Sequence, residues 1–477
     1  MDNNQEKVGA NGQYELIGRR RSEIPEAERL QALQGKLYQK AKQEKRYKFY
    51  VLYDKLFVPY VLRQAWKQVR QNAGSPGIDK VSIKDVEDYG VDSYLEELGE
   101  ELRKQTYRPQ AVKRVMIPKA NGGERPLGIP TVRDRIAQTA CKMILEPIFE
   151  ADFEESSHGF RPKRSSKDAM AAIKAQLKEG KTEVLDADLS KYFDTIPHNK
   201  LVIALEERIA DKRIIRLIKK WLKAPVYEDG QFKGGKKQKQ GTPQGGVISP
   251  LLANVYLHLL DRIVNHTKSM LAKYGISIVR YADDFVLMGK TMPKEVVEKL
   301  KSLINRMGLK LNEEKTRIVD STKTSFNFLG FTIRYSHDLF VKEKRYWEIM
   351  PSNKSEQKIR DKVKLYLGKH GHSPAKEVAS NLNAIIRGWL NYFTIEEISY
   401  TRMSRRRLRH YLMSKLYRYY NRKSQRKSRL YRHDAFEVLV NRFGLIDPTK
   451  NSYCCSPVKA NEEIFRKAVC GKTARTV

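Results

Sequence analysis

The stretch SIVRYADDFVLMGK, residues 277–290, places two adjacent aspartates, Asp283 and Asp284, between two runs of strand-forming, mostly apolar residues. This pattern predicts a strand, a tight turn and a second strand. A charge buried among apolar residues is costly unless a partner compensates it. Two neighbouring carboxylates also raise each other's pKa, unless divalent cations keep both ionised. The stretch therefore predicts a metal site on a β-hairpin.

A further metal ligand is expected from another strand, because Mg²⁺ takes a few carboxylate oxygens together with waters and substrate phosphates. The segment VLDADLSKYFDTIPH, residues 184–198, offers Asp186, Asp188 and Asp194. Its first part has the alternation of a strand, which puts Asp186 and Asp188 on the same face. The residues alone do not choose between these two aspartates.

The composition indicates a multidomain protein with a polyanionic partner. The chain has 477 residues, of which 40% are hydrophobic, so we expect two to four domains. Its 92 Lys and Arg against 56 Asp and Glu give a net charge of +36, which favours nucleic acid as the partner. Charge alone fits a structural RNA-associated or lipid-binding protein equally well.

Other features of the sequence predict the cellular setting. No stretch approaches the roughly 18 consecutive apolar residues of a membrane span, and the first residues lack the apolar core of a signal peptide. The four cysteines form no CxxC pair, so neither a disulfide framework nor a zinc module is indicated. We expect a cytoplasmic protein with no membrane partner.

Hydrophobic periodicity and turn residues predict the order of the elements. A polar, partly helical extension over residues 1–50 leads to a loop, QNAGSPGIDK, at residues 71–80. The periodicity further predicts a hairpin over 115–130, helices over 134–153 and 201–222, a loop followed by a helix over 241–261, and helices with apolar stripes at 359–367 and 378–393. The fold class is therefore α+β, with a helical domain after the mixed core.

The segment from Arg402 to Arg432 carries thirteen Lys or Arg, five tyrosines and no acidic residue. Cations neutralise phosphates and tyrosine rings stack on unpaired bases, so the segment is expected to bind nucleic acid. A solvated basic helix face is the alternative. The predicted contacts are Arg402, Arg405, Arg406, Arg407, Arg409, Arg422 and Lys423.

RYADDFV resembles the YxDD hairpin of reverse transcriptases, and DLSKYFD resembles their first metal-binding motif, an aspartate followed five positions later by an aromatic residue. This resemblance selects Asp188, because Phe193 lies five residues on, whereas Asp186 would place Lys191 there. Further blocks over roughly residues 50–400 resemble group II intron-encoded reverse transcriptase/maturases in the same order. They are QNAGSPGIDKVS, IPKANGGERPLGIPTVRDRIAQ, SSHGFRPKRSSKDA, GTPQGGVISPLLANVYLHLLD, GLKLNEEKTRIV, FNFLGF and IIRGWLNYF.

The resemblance implies a right-hand polymerase with fingers, palm and thumb. The implied domains are an N-terminal extension (1–50), an N-terminal segment with fingers (51–182), a palm (183–338, with fingers elements near 205–245), a thumb/maturase domain (339–400) and a basic C-terminal nucleic-acid-binding region (401–477).

The resemblance also implies the roles of the site residues. Asp188 and Asp283 are expected to be the main ligands of two Mg²⁺ ions, Asp284 completes the acidic cluster, and Leu189 belongs to the same metal site. Tyr281 is expected near the primer terminus. The expected nucleotide contacts are Lys119, Arg125, Phe193 as a steric gate against the ribose 2′-hydroxyl, Gln244 and Lys315. The alternatives are surface cations for Lys119 and Arg125, a core phenylalanine for Phe193 and a charged turn for Lys315.

The implied function is an RNA-directed DNA polymerase and maturase that assists the splicing of its group II intron RNA and copies it into DNA. Its implied partners are intron RNA, an RNA template with a DNA primer, target DNA and dNTPs. Because the cysteines cannot form the paired CxxC ligands of an HNH endonuclease, no nuclease domain of its own is expected. The alternatives are a related reverse transcriptase with a host function, such as CRISPR spacer acquisition or phage defence, and a splicing factor without polymerase activity. The three intact aspartates disfavour the last.

Overall fold

The computed structural model describes residues 24–118, 123–235, 238–243, 245–338, 343, 345–421 and 430–450. The helices are α1 (Glu26–Gln43), α2 (Pro59–Asn72), α3 (Ile83–Tyr89), α4 (Val91–Arg103), α5 (Val132–Glu150), α6 (Ser166–Lys178), α7 (Tyr192–Thr195), α8 (His198–Glu206), α9 (Lys212–Leu222), α10 (Ser249–Asn265), α11 (Met270–Lys273), α12 (Lys294–Arg306), α13 (Asn353–Lys369), α14 (Ala375–Phe393), α15 (Arg402–Tyr420) and α16 (Ala435–Phe443).

The strands form three sheets. They are β1 (Val112–Pro118), β2 (Glu124–Ile129), β3 (Glu183–Ala187), β4 (Pro225–Glu228), β5 (Gln231–Gly234), β6 (Ser277–Tyr281), β7 (Asp284–Gly289), β8 (Arg317–Asp320), β9 (Phe326–Phe328), β10 (Phe331–His337) and β11 (Arg345–Pro351). Their orders are β2-β1-β4-β5, β11-β10-β9 and β6-β7-β3-β8. Strands and helices are thus both present, and the predicted α+β class is confirmed.

The chain divides into two compact units, of which the first is helical. It comprises the described residues within Met1–Lys113, Ile129–Asp152 and Glu206–Trp221. In this unit α1 and α2 both pack against α5, the helix expected over residues 134–153. Helix α1 buries Leu30, Leu37 and Ala41. The described part of the predicted N-terminal extension is therefore packed into this unit.

The predicted helix over residues 201–222 is wrong in one respect, because it is two helices, α8 and α9. Between them the backbone N–H groups of Ala210 and Asp211 donate to the carbonyl of Phe49 at 2.8 and 3.1 Å. The Asp211 carboxylate then accepts from the backbone N–H of Leu52 and of Tyr53. These long-range bonds replace the helical ones, so the helix stops and restarts.

The second unit comprises Arg114–Gly128, Phe153–Leu205 and the described residues within Leu222–Val477. Its four-stranded sheet has the order β6-β7-β3-β8 and is antiparallel at every pairing. We call it the catalytic sheet, because it carries the candidate site. Strands β6 and β7 are the hairpin predicted around the aspartate pair, and β3 is the predicted strand that precedes Asp188. Strand β3 lies between β7 and β8, so its residues pair with residues about 100 positions later in β7 and about 130 positions later in β8.

A continuous core fixes the catalytic sheet. Buried residues of α6, including Met170 and Ile173, belong to the same apolar cluster as Val184, Val286 and Val319 of the sheet. The cluster extends to α13 and α14, whose predicted apolar stripes are confirmed as core. No described helix is both long and apolar enough to cross a bilayer. The domain boundaries expected from the resemblance stay a prediction.

Candidate active site

Strands β6 and β7 carry the aspartate pair at their tip. Tyr281 pairs with Asp284, which leaves Ala282 and Asp283 as the two turn residues. Ala282 adopts φ +58°, a left-handed conformation that is unfavourable for a residue with a Cβ. Asp283 is half-buried and Asp284 is exposed. The aspartate pair is therefore accessible to solvent at the tip of the hairpin.

Asp188 reaches the same tip from the neighbouring strand. Ala187 pairs with Phe285, and continuing that antiparallel register sets Asp188 beside Asp284. The backbone carbonyl of Asp188 accepts from the N–H of Asn312 at 2.8 Å. Its side-chain Oδ2 accepts from the Lys315 ammonium, also at 2.8 Å. The structure therefore brings together the three aspartates that the sequence singles out.

The acidic cluster has unusual electrostatics. Desolvation, with repulsion from Asp283 and Asp188, raises the pKa of Asp284 to about 7, although this residue is open to solvent. Burial, with a smaller contribution from Asp188, also raises the pKa of Asp283. The Asp188 hydrogen bond and charge raise the pKa of the Lys315 ammonium. The nearby cations therefore do not fully compensate the negative charge of Asp188, Asp283 and Asp284.

These properties fit a hard divalent cation. Among the described residues, no three carboxylate, imidazole or thiolate groups form a ready-made metal cage. Mg²⁺ does not need one, since it commonly binds one or two carboxylates and fills its shell with waters and phosphates. The donors present are carboxylate oxygens, which Mg²⁺ prefers, and a cation would relieve their repulsion. The residues that could hold it are Asp188, Asp283 and Asp284.

Removing Asp284 should change how stability depends on pH. The pKa of this carboxyl is 3.8 ordinarily and about 7 in the folded protein, so the unfolded chain loses its proton first as pH rises. The group's contribution to the free energy of unfolding therefore falls between those two pH values. With a chelator present, the melting temperature of the wild-type protein should fall more between pH 3.8 and about 7 than that of Asp284→Asn. Mg²⁺ added at pH 8 should raise the melting temperature of the wild-type protein more than that of Asp284→Asn. Identical dependence of the melting temperature on pH and Mg²⁺ in both proteins would contradict this account.

A buried arginine that the sequence did not single out lies in β6, two residues before Ala282. Arg280 has a side chain with no solvent exposure, paired with the equally enclosed Asp261 of α10. Its Nη1 donates to the carbonyl of Ala282 at 2.9 Å and to Oδ1 of Asn254 at 3.0 Å. Its Nη2 donates to Oγ of Ser157 at 2.7 Å. The available signal was a single charge inside an otherwise apolar strand.

The described nucleotide-contact residues lie in the unit that holds the acidic cluster. Arg125, on β2, is exposed, and its charge partly offsets the desolvation that raises the pKa of Asp283 and of Asp194. Phe193, on α7, is 9% exposed and packs edge-to-face against Phe160. Two further predicted contacts, Lys119 and Gln244, lie outside the described residues. The roles assigned to this set stay predictions.

Three neighbours complete the description of the site. Leu189 is buried and forms an isolated antiparallel bridge with Leu311. Asp186, the alternative ligand, faces Arg317 of β8 at 3.8 Å and adds to the negative charge around Asp284. Tyr281 is half-buried against the apolar core cluster. The proposed roles of Leu189 and Tyr281 stay predictions.

Helix α15 uses several of its arginines in contacts with other parts of the protein. Arg405 is buried and donates to the backbone carbonyls of Pro448 and Lys450. Arg407 pairs with Glu356 of α13, and Arg409 pairs with Glu437 and Asp447. Arg405 is thus not presented to a nucleic acid, and Arg407 and Arg409 already have acidic partners. Arg402, Arg406 and Arg407 are exposed, of which only Arg407 has an ion pair described above, while Arg422 and Lys423 lie outside the described residues.

Neutralising the exposed arginines of α15 should weaken nucleic-acid binding in a salt-dependent way. In Arg402→Gln/Arg406→Gln, the slope of log binding constant against log salt should decrease by about 0.7–0.9 for each phosphate that the helix no longer neutralises. The matched variant Arg407→Gln/Arg409→Gln removes ion pairs within the protein and should lower its melting temperature instead. An unchanged slope in the first variant would remove this helix face from the interface.

Comparison with known proteins matches two adjoining families. Residues 117–333 match the family described as reverse transcriptase (RNA-dependent DNA polymerase), and residues 356–434 match the group II intron, maturase-specific domain. Protein YkfC of Escherichia coli K12 is 37% identical over 314 residues, which cover 58% of this chain and 79% of YkfC. The chain belongs to the group II intron-encoded reverse transcriptase/maturase family. It carries an RNA-directed DNA polymerase domain followed by a maturase-specific domain.

Other similar members of the family are longer than this chain. The group II intron-encoded protein LtrA of Lactococcus lactis is 33% identical over 59% of this chain and 56% of LtrA. A 91 kDa protein in a cob intron of Schizosaccharomyces pombe is 29% identical over 76% of this chain and 53% of its own length. The chain thus spans about half the length of these two relatives. The catalytic sheet lies within the matched reverse-transcriptase domain, and α14 and α15 lie within the maturase-specific domain.

Proposed function

We propose that this protein copies RNA into DNA by two-metal phosphoryl transfer, and that its RNA is a group II intron whose splicing it also assists. One observation carries the proposal. Three aspartates from two neighbouring strands share one end of a sheet, in a chain whose reverse-transcriptase domain precedes a maturase-specific domain. In phosphoryl transfer a protein contributes mainly by positioning the reacting groups and stabilising the developing negative charge, and a carboxylate cluster that holds metal ions can do both.

Asp188, Asp283 and Asp284 would hold two Mg²⁺ ions. When bound, the ions would activate the primer 3′-hydroxyl and offset the charge of the triphosphate. Arg125 suits bidentate contact with the nucleotide phosphates, because its planar guanidinium matches two phosphate oxygens. The Lys315 ammonium is the proposed proton donor to leaving pyrophosphate. The Asp188 contact raises its pKa and keeps it protonated, so this contact has to be released before the proton is given.

The fuller partner set also belongs to this proposal. It comprises the intron RNA, an RNA template with a DNA primer, target DNA and dNTPs. The maturase-specific domain and the exposed arginines of α15 support intron RNA and target DNA as partners. The proposal requires a compartment in which transcripts and genomic DNA meet, and we propose the cytoplasm.

Two assays on the purified full chain test the proposal. The first supplies a primed RNA template, dNTPs and Mg²⁺, and the expected product is template-length DNA. The second uses precursor RNA transcribed from the DNA that flanks the gene, and the protein should lower the Mg²⁺ concentration at which that RNA splices. Synthesis without any effect on splicing would support a reverse transcriptase recruited to another role. Splicing without synthesis would support an RNA-binding factor.

A further inference from the structure

Every donor of the Arg280 guanidinium is used. An arginine side chain has five N–H groups in a fixed planar fork. Here Nε and Nη2 donate to the carboxylate of Asp261, Nη2 donates to Ser157, and Nη1 donates to Asn254 and to the carbonyl of Ala282. One fully enclosed side chain therefore joins helix α10, the segment before α6 and the catalytic turn.

The segment before α6 also packs directly on that turn. A Cβ added to Gly159 would lie 2.3 Å from the backbone nitrogen of Ala282, so only glycine fits this approach. The side-chain amide of Asn254 donates to the carbonyl of Gly159 at 2.8 Å. The backbone of Arg280 is fixed as well, since its N–H donates to Ser156 and its carbonyl accepts from His158. The turn is held from its outer side as well as through its own strands.

We propose that Arg280 is a positioning residue for DNA synthesis, which holds the strained turn at Ala282 so that Asp283 and Asp284 meet Asp188. The inference rests on the proposed polymerase function. The bond from Nη1 to the Ala282 carbonyl carries it, because that carbonyl belongs to the residue in the left-handed conformation. The Arg280 side chain also binds Asp261 and Asn254 of α10, the helix that follows GTPQGG in the sequence.

Stability alone does not explain this arrangement. Taking an arginine and an aspartate fully out of water costs about as much as their attraction returns, and apolar residues of similar volume often replace such pairs without loss. A guanidinium differs from an apolar side chain in that it can hold several acceptors at fixed angles. A lysine would keep the charge opposite Asp261, but an ammonium has three donors and no planar fork.

Arg280→Lys tests the proposal directly. We expect the single-turnover rate of nucleotide incorporation to fall about 100-fold, the loss typical of misplacing reacting groups by about 1 Å. The Mg²⁺ concentration for half-maximal rate should rise several-fold, because the carboxylates no longer converge. The KM for dNTP and the affinity for RNA should stay within about 3-fold of wild type.

Arg208→Lys is the matched control. Arg208 is another buried arginine, in the helical unit, paired with Asp152 at 3.0 Å and bonded to the carbonyls of Ala41 and Glu44. Its replacement should lower the melting temperature, as Arg280→Lys should, but should leave the incorporation rate and the Mg²⁺ dependence unchanged. Equal changes of rate in the two variants, after correction for the folded fraction, would show that Arg280 only stabilises the fold.

Hydrogen exchange gives a readout that needs no activity. In Arg280→Lys, amides of a peptide covering residues 281–285 should exchange faster than in wild type, and in Arg208→Lys they should not. If Arg280→Lys does not fold, Ser157→Ala removes a single bond to Nη2 and should show the same changes to a smaller extent. Wild-type exchange at the turn in both variants overturns the positioning role. Absence of DNA synthesis by the wild-type protein would instead overturn the proposed function, whatever the exchange shows.

Discussion

Asp283→Asn is expected to reduce RNA-templated DNA synthesis by at least about 1,000-fold. A metal ligand at a phosphoryl-transfer site supplies several kcal/mol of transition-state stabilisation, and each 1.4 kcal/mol is about a factor of ten in rate. Asparagine has nearly the same shape as aspartate but lacks the negative charge. The half-buried position of Asp283 in the turn makes its replacement by an amide sterically mild. The measurement is primer extension on an RNA template under single-turnover conditions.

The same variant should still bind intron RNA and assist splicing. The maturase-specific domain, residues 356–434, lies outside the reverse-transcriptase domain that contains the turn. Loss of DNA synthesis together with splicing would therefore contradict the separation of the two activities.

Asp320→Asn provides a control on the same sheet. Asp320 pairs with Glu183 at the end of β3 away from Asp188, and its carboxylate accepts from the N–H and the hydroxyl of Thr322. Its replacement removes an acid from the catalytic sheet without touching the acidic cluster. DNA synthesis by Asp320→Asn should stay within about 2-fold of wild type. A comparable loss in both variants would indicate a damaged sheet rather than a missing metal ligand.

Local patterns in the sequence predicted most of the elements that carry the site. The alternation around the aspartate pair predicts β6 and β7, and the alternation before Asp188 predicts β3. These predictions succeed because a strand and its turn are encoded by neighbouring residues. The pairing of β3 with β7 joins residues about 100 apart, and the sequence analysis predicted only that a ligand comes from another strand, not which strands pair.

Contacts between distant residues account for what the sequence did not predict. The partners of Arg280 include Ser157, 123 positions away, and no local pattern identifies such a partner. The segment from Arg402 to Arg432 contains no acid, yet Glu356 and Asp447 approach its arginines from other elements. Counting charge along the chain therefore overestimated how many of these arginines remain available to a nucleic acid.

Phe193→Val should reduce the preference for deoxynucleotides over ribonucleotides by about 100-fold, the scale on which a shaped pocket rejects one added hydroxyl. The ring of Phe193 is held by edge-to-face contacts with Phe160 and Tyr192 at centroid distances of 6.4 and 5.5 Å. Its backbone carbonyl accepts from the N–H of Thr242 at 2.7 Å. A ring supported on these sides can exclude a 2′-hydroxyl, whereas valine leaves room for it. The measurement is kcat/KM for each nucleotide pair on one primed RNA.

Tyr192→Phe is the matched control for this gate. It removes the hydroxyl that donates to the carbonyl of Ala253 at 2.7 Å but leaves every ring in place. Stability should therefore fall without any change in the choice of sugar. In Phe193→Val, the efficiency with ribonucleotides should rise while that with deoxynucleotides falls only modestly. If both efficiencies fall together and their ratio is unchanged, Phe193 serves the core and the selection of deoxynucleotides must come from another residue.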